Sequence, residues 1–122
     1  MLRSRVLIVD RSPETREVLR LLIERAGAVA VEANRPQQAV QLAADATPDL
    51  FLVDADSDDS HDQGPTRSLE ATADRTNTPI VFLGALTGET GAAKAHSVVA
   101  KPYHYGPLIR RIEGHLAARG AA

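Results

Sequence analysis

Two apolar runs in this sequence end in a carboxylate, and a third ends in a lysine. Leu50-Phe51-Leu52-Val53 runs into Asp54, Val6-Leu7-Ile8-Val9 into Asp10, and Ser97-Val98-Val99-Ala100 into Lys101-Pro102. A further run, Pro79 to Leu83, ends at Gly84. In open α/β sheets, chemistry sits beyond the carboxyl ends of the strands. If these runs are parallel strands, Asp10, Asp54, Gly84 and Lys101 gather at one edge. Two acids and an ammonium then converge on one small site, and any chemistry is to be sought there.

The elements between the runs are those such a sheet needs. Ser12-Pro13-Glu14 is a helix start, with Ser12 as N-cap and Pro13 in the first helical position. Val18, Leu19, Leu21, Leu22 and Ile23 give that helix a broad apolar face, and Gly27 stops it. Ala28 to Ala33 alternates weakly and reads as an edge strand. Pro36 opens a second helix carrying Ala39, Val40, Leu42 and Ala43, which ends at Thr47-Pro48. Ala55 to Gly64 is a polar loop holding Asp56, Asp58, Asp59 and Asp62. Ser68 to Arg75 reads as a short third helix whose only large apolar residue is Leu69. Leu86 to Ala95 has little to bury and is expected as one or two mobile turns, a shortened fourth helix. Gly106-Pro107 opens the last helix, with Leu108, Ile109, Ile112 and Leu116 on one face and Gly120 beyond its end. Strand and helix alternate five times, which means a parallel sheet covered on both faces with right-handed crossovers.

Composition narrows the classes. The chain has 122 residues and is expected to form a single domain over 1–122. A net charge of −2 gives no basic footprint for nucleic acid. The absence of cysteine excludes disulfides and thiolate chemistry. The four histidines are scattered without metal-ligand spacing. No run approaches the roughly 20 apolar residues of a membrane span, and the N-terminus has no signal-peptide core. The expectation is a cytoplasmic protein without membrane partners.

The strand-Asp10, strand-Asp54 and Val99-Ala100-Lys101-Pro102 set, in that order and spacing, resembles the receiver domain of two-component response regulators over nearly the whole chain. The resemblance implies a flavodoxin-like (CheY-like) doubly wound α/β fold with five parallel strands in the order 2-1-3-4-5. It implies that Asp54 takes a phosphoryl group from a histidine kinase or phosphotransfer protein, and that Lys101 bonds the phosphoryl oxygens. Mg²⁺ is the implied cofactor, with Asp10, Asp54 and Asp56 as its candidate ligands. A carboxylate attacking phosphorus needs the incoming negative charge neutralised, which a cation and an ammonium do. A cis Lys101-Pro102 bond is also implied.

The sequence departs from that pattern at several points. Receivers carry two consecutive acids after the first strand; here they are Asp10-Arg11. A cation at position 11 removes a metal ligand and repels the ion, so Mg²⁺ is expected to bind weakly or not at all. Gly84 stands where receivers have the switch Thr or Ser. Val98 replaces an early aromatic of the fifth strand, and the Pro and acid-Gly signature after the acceptor is missing from Ala55 to Gly64.

Three functional readings follow. The leading one is a degenerate receiver, or pseudo-receiver: a non-enzymatic interaction module without ordinary Mg²⁺-dependent phosphorylation, docking a regulatory partner through the fifth strand and last helix. Arg11 would there pair with Asp10 and Asp54, or else point to solvent. The alternative is a phosphorylation-competent receiver in which the acidic loop supplies the missing ligand. A third reading takes Asp54-Ala55-Asp56 as the Asp-x-Asp motif of haloacid-dehalogenase-type phosphohydrolases, with Asp54 as nucleophile and Asp56 as general acid/base. His61 and His96 read as surface-loop residues and Tyr103 as packing.

Overall fold

The computed structural model describes residues 3–55, 64–84 and 97–120. Five strands, β1 (Arg5–Val9), β2 (Val29–Ala33), β3 (Leu50–Asp54), β4 (Ile80–Leu83) and β5 (Ser97–Val99), pair in parallel in the order 2-1-3-4-5. Among the described residues, four helices cover them: α1 (Pro13–Arg25), α2 (Pro36–Ala46), α3 (Gly64–Thr76) and α4 (Tyr105–Gly120). The parallel sheet is as the apolar runs imply, and its order and flavodoxin-like architecture are as the resemblance implies.

Side chains alternate across a strand, so each buried strand feeds two cores. Val6, Ile8, Leu50, Leu52, Val81 and Leu83 pack under α1 and α4, with Leu19, Leu22, Ile23, Leu108 and Ile112. Leu7, Val9, Phe51, Val53, Ile80 and Phe82 face the other way and meet Ala39, Ala43, Leu69 and Ala73 of α2 and α3. The alanines let those two helices lie close to the sheet.

Two expectations are corrected. The apolar face of α1 is narrower than five residues: Leu19, Leu22 and Ile23 are buried, but Val18 is 36% exposed and Leu21 50%. A helix lying on a sheet buries one stripe, and residues about 100° away from it face water. The short helix expected over Ser68–Arg75 spans 13 residues, Gly64–Thr76. Its buried stripe is Leu69, Thr72 and Ala73, at the i, i+3, i+4 spacing of a helix face. Thr72 tolerates burial because its hydroxyl donates to the Ser68 carbonyl at 3.0 Å. The turns expected over Leu86–Ala95 and the loop acids Asp56, Asp58, Asp59 and Asp62 lie outside the described residues, as do His61 and His96.

Candidate functional site

Strand register brings the site together. Val9 pairs with Val53, so Asp10 and Asp54 each follow the same rung at the carboxyl edge. Asp54 in turn pairs with Leu83, and Leu83 with Val99. Gly84 donates its N–H to the Val99 carbonyl at 2.8 Å, which fixes the chain as it leaves the sheet. Lys101 follows two residues later, and its bond to Pro102 is cis.

Lys101 Nζ reaches Asp54 Oδ1 at 2.7 Å. The Asp54 side chain is 11% exposed and the lysine 36%, so the contact closes the acid over while leaving the ammonium partly in water. Asp10 is nearly completely buried, at 1% exposure. Its Oδ1 accepts the Ser12 N–H at 2.8 Å, while its Oδ2 is buried with no hydrogen-bond partner. Burial pushes the Asp10 carboxyl above the ordinary aspartate range. The Ser12 N–H opposes that shift, the Asp54 carboxylate adds to it, and Lys101 lowers it.

The start of α1 holds Asp10 in place. Ser12 is the N-cap, accepting the Thr15 N–H through its hydroxyl at 3.2 Å. Arg16 Nη1 donates to the Asp10 carbonyl at 2.7 Å, and its Nε lies 3.3 Å from Glu32 on β2. This brace has no counterpart in the apolar pattern. Its one sequence signal is a cation near the helix start, where the macrodipole favours acids. Tyr103 packs against the core beneath α1 and α4, as a packing residue should. Burial raises its phenol pKa, with Lys101 lowering it and Asp10 and Asp54 raising it, so the ring lies within the field of the acid pair.

Arg11 is exposed. The groups that act on Asp10 are its own burial, the Ser12 N–H, Asp54 and Lys101. Gly84 is buried at φ 111°, a backbone region where a β-branched residue is strained. Position 84 therefore lacks the hydroxyl and also has a backbone unsuited to Thr.

A Mg²⁺ ion takes six oxygen ligands, typically one or two carboxylates together with waters. The orphaned Asp10 Oδ2 beside Asp54 is one atom such an ion would satisfy. Among the described residues, however, no three acidic or histidine side chains come together to hold a metal, and the neighbouring position 11 carries a cation. Among the described residues the donor set is short of an ordinary Mg²⁺ site. Asp56 lies outside the described residues.

Beside the acids, an open groove of about 590 Å³ runs between α1 and the start of α4, lined by Glu14, Val18, Lys101, Pro102 and Tyr105 among others. Val18 and Tyr105, at 36% and 52% exposure, leave apolar surface there.

Comparison with known proteins gives the same picture. The family described as the response regulator receiver domain matches residues 6–113. A curated relative, the phosphate regulon transcriptional regulatory protein PhoB of Pseudomonas aeruginosa, is 28% identical over 125 residues, covering 98% of this chain and 55% of the relative. The chain thus spans about half the length of that protein. Among solved structures, a CheY-like receiver domain protein from Methanospirillum hungatei superposes with a TM-score of 0.81 at 18% identity, covering 98% of each chain. A receiver-modulated diguanylate cyclase from Pelobacter carbinolicus gives 0.78 at 21% identity, covering 97% of this chain and 96% of the other. At these identities the superpositions speak for the fold. No helix among the described residues is long and apolar enough to cross a membrane.

Proposed function

The chain belongs to the response regulator receiver family, and from that premise we propose that it is a degenerate receiver, a protein-interaction module that works without ordinary Mg²⁺-dependent aspartyl phosphorylation. Receiver domains serve two-component signalling, meeting kinases, phosphotransfer proteins or effector domains. The observation that carries the proposal is the acid corner: Asp10 and Asp54 stand with exposed Arg11 in place of a third carboxylate. Lys101 already neutralises Asp54 at 2.7 Å, so the pocket balances much of its charge without an ion. Gly84, held at φ 111°, offers no hydroxyl to follow a phosphoryl group, so the usual two-state link from pocket to distal face lacks its mover. The groove beside Lys101, with Val18, Pro102 and Tyr105 between the charges of Glu14 and Lys101, suits a protein partner.

A second reading is favoured by one atom. Asp10 Oδ2 is buried without a hydrogen-bond donor, and the Asp54 carboxylate beside it raises the Asp10 pKa by its charge and by a side-chain hydrogen bond; buried polar atoms seldom lack a donor or a cation. A cation there would satisfy it and make Asp54 a phospho-acceptor. Intact-mass analysis after incubation with acetyl phosphate and Mg²⁺ separates the two. An unchanged mass supports the degenerate module. A gain of one phosphoryl mass, abolished by Asp54→Ala, supports the phospho-acceptor. The haloacid-dehalogenase reading finds no support in the family match, which covers the strand bearing Asp54 as part of a receiver.

A further inference from the structure

The far edge of the sheet, away from the acid pair, holds a second concavity. A cavity of about 310 Å³ opens between α2 and α3 where β3 and β4 begin. Its floor is Phe51, with Val40, Ala43 and Pro48 around it, and its mouth carries Arg75 and Arg119. That volume lies in the range of small-molecule sites, which are apolar with a few placed polar groups.

The polar groups are unusual in number and position. Among the described residues the buried polar side chains are Asp10, Thr72 and Thr78, and the two threonines both line this cavity. Their hydrogen-bond directions are set by neighbours. Thr72 donates to the Ser68 carbonyl at 3.0 Å, and Thr76 donates to the Thr72 carbonyl at 2.8 Å. Thr78 is then the donor in its 2.8 Å contact with Thr76. With their protons committed, Thr72 and Thr78 present oxygen lone pairs, so a molecule in the cavity meets acceptors inside.

The mouth has the opposite character. Arg119 is fixed by Asp49 at 3.1 Å and by the Asn77 carbonyl at 2.6 Å, which leaves part of its guanidinium fork uncommitted. Arg75 makes no ion pair or hydrogen bond among the described residues. Helix C-termini attract cations, which accounts for arginines here but leaves the charge of Arg75 without a counter-ion. Thr47, the left-handed C-cap of α2 at φ 42°, lines the same cavity.

We propose that this cavity binds a small apolar acid: an oxyanion head on Arg75 and Arg119, an apolar body over Phe51 and Ala43, and a hydrogen-bond donor reaching Thr72 and Thr78. The site is independent of whether Asp54 is phosphorylated, since the two lie at opposite edges of the sheet.

The test is an amide NMR titration of the whole chain with 3-(4-hydroxyphenyl)propionate, and in parallel with its uncharged amide. Expected are saturable shifts at Ala43, Thr72 and Thr76, with roughly tenfold weaker binding of the amide and of Arg75→Gln, as loss of one charged hydrogen-bond pair implies. Ala44→Leu, an exposed position on the rim, should plug the cavity and abolish the shifts while leaving the spectrum dispersed. The proposal is overturned if no shift saturates, if acid and amide bind alike, or if either variant binds as well as the parent chain.

Discussion

Lys101 Nζ sits 2.7 Å from Asp54 Oδ1, joining positions 47 residues apart in the chain. The acid that the resemblance assigns to phosphoryl transfer is therefore already paired with the cation that would follow a phosphoryl group. Removing the lysine should matter more to the pocket than to the fold. Because Asp54 is only 11% exposed and would lose this cation while lying beside Asp10, Lys101→Ala is expected to cost about 1–3 kcal/mol in denaturant unfolding. A loss of several kcal/mol would mean the contact holds the fold together rather than the charge of the pocket.

Asp10 is the opposite case, a charge whose burial works against folding. Its carboxyl is raised from the ordinary value of 3.8, chiefly by burial and then by Asp54. A raised folded-state pKa means the native state binds the proton more tightly than the unfolded chain does. The contribution is complete below the unfolded value and is lost as pH rises through the folded one. Asp10→Asn should therefore stabilise the chain at pH 7 by about 1–2 kcal/mol, and the gain should shrink as pH falls toward 4. Urea melts at several pH values in the presence of a chelator check this; a gain that grows on acidification would reverse the sign.

Arg11→Asp should rebuild a three-carboxylate corner with Asp10 and Asp54. Mg²⁺ affinity by calorimetry is expected to rise at least tenfold over the parent chain, about 1.4 kcal/mol. No gain would remove Arg11 as the reason for weak metal binding.

Restoring a hydroxyl at position 84 is expected to carry a backbone penalty. At φ 111° a threonine is strained, so Gly84→Thr should lower stability by about 1–3 kcal/mol and lower the melting temperature. An unchanged melting temperature would show that the backbone relaxes to accept the side chain.

The sheet and most of the site were legible because both depend on local patterns. Runs such as Leu50–Val53 are apolar without alternation, as strands covered on both faces must be, and the residue ending each run falls at the carboxyl edge by topology alone. Asp10, Asp54 and Lys101 could thus be brought together from the chain order. What escaped depends on how the elements are set against one another, even where the partners are near in sequence. Arg16 bracing the Asp10 carbonyl requires the exit of β1 to lie over the start of α1. The buried stripe of α3 includes Ala73, which counts as core only once α2 is known to present Ala39 and Ala43. Val18 and Leu21 read as core because apolar character does not say how wide a stripe the sheet covers.

Leu69 carries that lesson into a number. It is the one large apolar side chain of α3 in the core and is completely buried. Leu69→Ala should cost about 2–5 kcal/mol, with unfolding reported by the amides of α3 and β4. A cost below about 1 kcal/mol would mean that the alanine and threonine contacts alone dock the helix.

The most direct test of the degenerate-receiver reading is an amide NMR titration with Mg²⁺ followed by beryllofluoride as a phosphoryl mimic. The expected result is a spectrum essentially unmoved at millimolar concentrations of both, at Asp10, Asp54, Gly84 and Lys101 alike. Saturable shifts at those residues that spread into α4 would contradict it and establish a working phospho-switch.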